Sequence, residues 1–185
     1  MARNDTTEWA TLRAMAIQRP DRSELESPYH GSFDRVPEGD ILQILTKQVA
    51  DTTELVRSIG EKRGDHRYAP GKWSIKEVVG HLADTERIMS YRALAFARGD
   101  GTPLPGFEQD DYAIAGRFER RRLIDLAEEF RVIRASTLAL FRGFDEEALL
   151  RRGTASGAEF TVRAIAFLIC GHEIHHKAIL RERYL

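Results

Sequence analysis

Three of the chain's six histidines crowd into Gly171-His172-Glu173-Ile174-His175-His176. Residues four apart on a helix are offset by only about 40° around its axis, so His172 and His176 leave one face a turn apart, as two nitrogen donors. His175 sits about 100° away from His176 and points elsewhere. Ile165, Leu168 and Ile179 share the face of the pair, so the two imidazoles stand where a core should be dry, and unsatisfied polar rings there are costly. A divalent metal ion satisfies them if a neighbouring helix supplies a third donor, and His81, beside Val78, Leu82 and Thr85, is placed to do so. The plainer alternative is a group of hydrogen-bonded core histidines. Zinc-protease chemistry is not expected, because the string H-E-I-H-H is read as departing from the H-E-x-x-H signature, and Glu173, directly beside His172, is predicted to face away from the pair.

Three neutral imidazoles on a divalent ion leave at least one position for water or substrate, as in catalytic rather than structural zinc sites. Such an ion lowers the pKa of bound water to about 7, or presents a thiol as thiolate to an electrophile. Hydrolysis and thiol S-transfer are therefore the two enzymatic readings, and a bundle that binds metal or ligand without catalysis is the third. A fourth protein ligand would favour the last. Zinc, nickel and iron all suit imidazole donors. The candidates for a general base are Asp84, Glu86, His175 and the acidic Glu108, Asp110 and Asp111. Asp84 could instead orient His81, and the ordinary reading of Asp84 and Glu86 is a solvated helix face paired with Arg87 or a lysine. Trp73, Thr85 and Tyr112 are candidate pocket walls. Arg117 and Arg120 to Arg122 could bind the carboxylates of a thiol cosubstrate, against the commoner reading of solvated surface. Cys170 is expected to pack, and His30 and His66 to be exposed without a role.

Four segments with helical apolar spacing must position these groups. The first runs from about Glu38 to Ile59, with Pro37 suiting its start. The second opens at Ser74, whose hydroxyl forms a capping box with Glu77, and stops near Gly99. The third spans about Arg121 to Phe141, with Gly143 beyond it. The fourth is capped by Thr161 and runs almost to Leu185. At about 20 residues, or about 30 Å, each suits a bundle. The expected fold is all-α, an antiparallel four-helix bundle with a long crossover between helices 2 and 3, and no strand is required. Residues 99–116, rich in Gly, Pro and acidic side chains, form that crossover or a lid. Residues 1–36 form an N-terminal extension, with a possible short helix at Thr7–Ala16, to a single domain covering 1–185.

With 28 Lys+Arg against 29 Asp+Glu, the formal charge of −1 offers nothing to attract nucleic acid or an anionic membrane. One cysteine permits no internal disulfide, the opening residues lack a secretory pattern, and no apolar run approaches the roughly 18 residues of a membrane span. A cytoplasmic protein with a small-molecule substrate is expected.

Two motifs, K-W-S-I-K-E-V-V-G-H-L-A-D-T-E-R from Lys72 to Arg87 and G-H-E-I-H-H-K-A-I-L from Gly171, occur in order, with P-G-F-E-Q-D-D-Y from Pro105 to Tyr112 between them. Together they resemble the DinB superfamily, the DinB-like and YfiT-like metal-dependent enzymes, over about residues 35–183. The resemblance implies a four-helix bundle with a long crossover, often a homodimer, and a nickel or zinc ion on three histidines that map to His81, His172 and His176. It also implies a range of activities, from metal-dependent hydrolysis to transfer of low-molecular-weight thiols, so fold carries over better than reaction.

Overall fold

A computed structural model describes residues 16–185 of the chain. In order, these form α1 (His30–Phe33), α2 (Ile41–Ile59), α3 (Ile75–Ala97), α4 (Gln109–Gly116), α5 (Leu123–Arg142), α6 (Glu146–Leu150), strands β1 (Arg152–Ala155) and β2 (Ala158–Thr161), and α7 (Val162–Ile179). One π-helical turn, Leu180–Tyr184, continues α7. The short helix expected at Thr7–Ala16 lies, except for Ala16, outside the described residues.

Local chemistry starts the long helices. Ser74 and Glu77 form the reciprocal capping box of α3, and the Thr161 side chain accepts from the Ala164 amide at the start of α7. Asp40, rather than Pro37, begins α2 by accepting from the Leu42 amide. No side chain of α5 caps it. A distant residue does so instead, with the Leu123 amide donating to Glu61 Oε2 at 2.6 Å.

Helices α2, α3, α5 and α7 make the bundle, each packing on two neighbours in the cyclic order α2, α5, α3, α7. Pairings along the helices give their directions. Ser90 meets Thr137 and Glu86 meets Arg134, so α3 and α5 run parallel. Gln48 reaches Cys170 and Thr52 reaches Glu173, so α2 and α7 also run parallel. The two pairs are antiparallel to each other, for Arg134 reaches Leu45 in the first half of α2 while Leu123, earlier in α5, reaches Glu61 just beyond the end of α2. Because α5 repeats the direction of α3, the chain between them must travel back along the bundle, and this is the long crossover. It carries α4, which packs on α3, and returns past Gly80, where an added Cβ would lie 2.4 Å from the Phe118 ring.

The small sheet departs from the strand-free expectation. Ser156 and Gly157, both at positive φ, turn the chain so that β1 and β2 pair antiparallel with Ala155 opposite Ala158. Leu104 of the crossover bridges to Ala155. The hairpin thereby ties the crossover to the start of α7.

Residues 16–36 also pack into the core, through Ile17, Leu25, Phe33 and Val36. Glu24 is buried, pairs with Arg163 and accepts from Thr161. At Gly171 a Cβ would fall 2.0 Å from the Ser32 carbonyl oxygen, so α1 rests directly on the α7 backbone beside His172.

Candidate metal centre

His81 from the N-terminal third of α3 faces His172 and His176 from the C-terminal half of α7. One ring nitrogen from each lies within 4.8 Å of the other two, and no fourth His, Cys, Asp or Glu joins them among the described residues. His81 Nε2 and His172 Nε2 stand 3.0 Å apart. Two imidazoles on one tetrahedral zinc, with bonds of about 2.0–2.1 Å, put their nitrogens about 3.3 Å apart, so the spacing fits a shared ion. The three ring centroids are mutually 4.5 to 4.9 Å apart, with no carboxylate between them. The donor set therefore fits a borderline-soft divalent metal better than calcium or magnesium, which prefer oxygen.

Aromatic and polar groups hold the rings. Trp73 packs against His81 at 4.7 Å and lies nearly parallel to His176 at 6.3 Å. Its indole N–H donates to Asp110 Oδ1 at 3.0 Å, fastening the wall to α4. The Thr85 hydroxyl lies 3.4 Å from His81 Nδ1. Two cavities open on His172. One, of about 440 Å³, is lined by Tyr68, Trp73, Asp110, His175 and Tyr184 among others. The second, about 610 Å³, lies toward Tyr29, Thr85, Arg92, Phe107 and Ser156, and Gln109 lines both.

Burial keeps the imidazoles neutral, as metal ligation requires. It pushes His81 down to about 4, with the Asp110 carboxylate opposing, and His176 down to about 3, helped by the neighbouring His81 and His175. His172 is held well below its ordinary value by burial and then by the adjacent imidazoles. In the metal-free protein the unfolded chain, with histidines near 6.5, binds protons that the fold excludes. Stability should therefore be complete above about pH 6.5 and fall as pH drops toward about 4. Thermal unfolding of chelated protein at about pH 8, 6 and 4.5 checks this, and a melting temperature unchanged across that window would contradict it.

The other expected residues divide. His175 sits on the rim of the first cavity with its ring 5.1 Å from His176. Asp84 is half-buried and pairs with Arg87 at 3.5 Å, so Thr85 rather than Asp84 is the group at the His81 ring. Glu86 is neither solvated nor aimed at the histidines. It is 3% exposed and clamped by Arg134 through two bonds of 2.7 Å. Tyr112 is 46% exposed, packs on Phe107 and lines neither cavity, because α4 turns Ala113 inward instead. Among the crossover acids, Asp110 lines the first cavity and Glu108 the second. Arg120, Arg121 and Arg122 pair with Glu119, Glu129 and Asp125, and neither they nor the exposed Arg117 line a cavity.

Cys170 is fully buried and its thiol is pushed up to about 12, which leaves it packing rather than ligating. His66 is exposed, whereas His30 begins α1 and sets its Nε2 at 3.1 Å from the Leu25 carbonyl. Contrary to that first reading, His172 to His176 does fit the H-E-x-x-H string in which a glutamate serves zinc proteases as base, since Ile174 and His175 fill the two variable places. Here Glu173 faces away, as expected, but into the interior, where Thr52 donates to it at 2.5 Å and Arg134 pairs with it at 2.9 Å. Gln109, Arg92 and Ser156 were not legible as site residues. The only signal was that Thr85, Met89 and Arg92 continue the helical stripe of His81.

A family model described as the DinB superfamily matches residues 44–180. The chain belongs to the DinB superfamily. Over 62 residues it is 36% identical to "Putative metal-dependent hydrolase OB0413" of Oceanobacillus iheyensis, a match covering 33% of this chain and 35% of that protein. The chain thus spans about a third of the length of this curated relative. Among solved structures it resembles YfiT from Bacillus subtilis, described as a probable metal-dependent hydrolase with an unusual four-helix bundle topology. There the TM-score is 0.68 at 17% identity, over 80% of this chain and 87% of that one. A DinB-like protein, YjoA, also from Bacillus subtilis, gives a TM-score of 0.55 at 23% identity, over 77% and 88%. At these identities the likeness is one of fold. No helix among the described residues is long and apolar enough to cross a membrane.

Proposed function

We propose that this DinB-superfamily chain is a divalent-metal-dependent hydrolase of a small molecule, with His81, His172 and His176 holding the ion. The observation that carries the reading is the convergence of three neutral imidazoles, without a fourth protein donor among the described residues, where two cavities meet. When bound, the ion supplies a Lewis acid that acidifies water and polarises a substrate oxygen. The protein does the rest. Trp73 and Thr85 fix the His81 ring, and Gln109 offers its amide to a substrate in either cavity. Asp110, already accepting from the Trp73 indole with one oxygen, keeps the other to accept a proton from water in the first cavity. In this reading residues 16–185 act as one domain, and the homodimer and cytoplasmic location implied at the outset belong to the same proposal.

The test loads the protein separately with zinc, nickel and iron(II) and assays small esters, amides and phosphoesters, with and without thiol plus an electrophile. Hydrolysis that chelation abolishes is expected. Asp110→Asn should lower kcat by about 10²- to 10⁴-fold while metal content is unchanged. Turnover only when a thiol is supplied would replace hydrolysis with S-transfer, and no turnover under any condition would leave a metal-binding bundle.

A further inference from the structure

Arg92 is 3% exposed, yet it forms no ion pair among the described residues. The bundle's other deeply buried cations contrast with it, for Arg134 is paired with Glu86 and Glu173, and Lys76 with Glu61 and Asp65. Burial of an unpaired cation is costly, and desolvation pulls the Arg92 guanidinium below its ordinary range. Its partners are neutral. Nη2 donates to the Pro105 carbonyl at 2.9 Å and to Ser156 Oγ at 2.8 Å, while Nη1 faces the Met89 sulfur at 3.7 Å. A guanidinium has five N–H donors, so Nε–H and hydrogens of Nη1 remain without an oxygen acceptor. Arg92 lines the larger cavity, where among the described residues it is the sole Lys or Arg and Glu108 the sole carboxylate, and His81 and His172 line the same space.

From these observations we infer that Arg92 and Ser156 bind a carboxylate of the substrate, at the end of the cavity away from the three histidines. The inference deepens the hydrolase reading and rests on it for the metal-facing end of the ligand. Ser156, having accepted from Arg92, retains its hydroxyl proton to donate to the same carboxylate. It stands at the hairpin turn with φ of 55°, the left-handed conformation that the two-residue turn itself requires. One guanidinium and one hydroxyl suit a monoanion. A phosphate dianion, with close to two charges, calls for a second cation that this cavity lacks among the described residues.

The helix also sets the ligand's length. His81, Thr85, Met89 and Arg92 follow one face of α3, and the Cα atoms of the first and last lie about 16 Å apart along the axis. Long side chains on a helix lean toward its N terminus, which for Arg92 is toward His81 and agrees with its contact to Met89. A chain of about six to eight bonds between carboxylate and reacting atom spans the remaining gap.

A structural role, pinning the crossover at Pro105 to the hairpin at Ser156, would use the same hydrogen bonds, so the experiment must separate the two. The probes are 6-mercaptohexanoate and 6-mercaptohexanol, which share a thiol for the metal and differ only at the end meeting Arg92. Calorimetric titration of cobalt(II)-loaded protein should favour the carboxylate by about 10- to 100-fold, the ratio that a charge-assisted hydrogen bond supports. Arg92→Gln should abolish the preference while changing affinity for the alcohol less than about twofold, and Arg92→Lys should restore part of it. Equal weakening of both probes, or no preference in the parent protein, would overturn the inference. If cobalt does not bind, the metal reading fails separately, and hexanoate against hexanol, titrated into metal-free protein and followed by the Arg92 Nε–H resonance, decides the carboxylate site. Preference for hexanoate sustains it, and equal response overturns it. Inorganic phosphate displacing the probe more effectively than acetate would overturn the assignment to a carboxylate.

Discussion

Purified protein should carry about one divalent ion per chain, and His172→Ala and His176→Ala should each remove it. The expectation follows from the geometry: three nitrogens within 4.8 Å of one another leave no redundant donor to replace a lost ring. Elemental analysis of the parent protein and both variants reads this directly. Stability supplies a second readout, because an ion bound by the fold but not by the unfolded chain stabilises in proportion to the logarithm of its concentration. At about 1,000 times Kd that amounts to about 4 kcal/mol, or about 8–16 °C in melting temperature for a chain of this size.

The sign of the metal-free comparison distinguishes this site from an ordinary core. Replacing a buried, well-packed side chain with alanine costs stability, typically by about 2–5 kcal/mol. At the histidine cluster three desolvated rings crowd together with few acceptors, and His81 Nε2 meets His172 Nε2 at 3.0 Å, where at most one of the two can donate. Removing His176 from the chelated protein should therefore cost less than about 1 kcal/mol, or gain stability, although it abolishes the gain from metal. A chelated His176→Ala protein that melts far below the chelated parent would point to histidines kept for packing. Parent protein that contains no metal and takes up neither zinc nor nickel would remove the ligand assignment altogether.

The parts of this structure that were legible in the sequence are those written at short range. Ser74 with Glu77, Thr161 at the head of α7, and His172 with His176 four residues on are each decided within one helical turn, and all stand as the spacing implied. His81 could be matched to that pair because a bundle of four long helices leaves few other places for a third donor. What escaped depended on partners far apart in the chain. Glu86 reads as a surface charge until Arg134, 48 residues on, is folded against it. Arg92 reads as surface for the same reason, since an arginine on an apolar stripe gives no hint that a crossover and a hairpin will cover it. The order of helices was also hidden, because periodicity marks which face of α5 is apolar but not whether α5 runs parallel to α3. The turn at Ser156 and Gly157 carried a local signal, yet two four-residue strands are too short to show a period of their own.

Arg134→Met should be among the most destabilising single substitutions in the chain, costing about 3–5 kcal/mol and lowering the melting temperature by about 6–20 °C. The guanidinium is fully buried and binds groups on all the other bundle helices. It clamps Glu86 of α3 through two bonds of 2.7 Å, pairs with Glu173 of α7 at 2.9 Å and donates to the Leu45 carbonyl of α2 at 3.0 Å. Methionine fills much of the volume but leaves two carboxylates in the core without their countercharge, so the loss comes from unpaired charge more than from packing. The triple variant Arg134→Met, Glu86→Met, Glu173→Leu tests that cause. Removing the stranded carboxylates together with their partner should recover most of the stability, whereas a packing defect would persist or deepen. The same variants probe the site, because Glu86, Arg134 and Glu173 share with His172 and Thr85 a void of about 10 Å³, close to the space of one water. If the triad steadies His172 through that void, the triple variant should regain its melting temperature yet bind metal more weakly than the parent. Full recovery of both would reduce the triad to a structural tie.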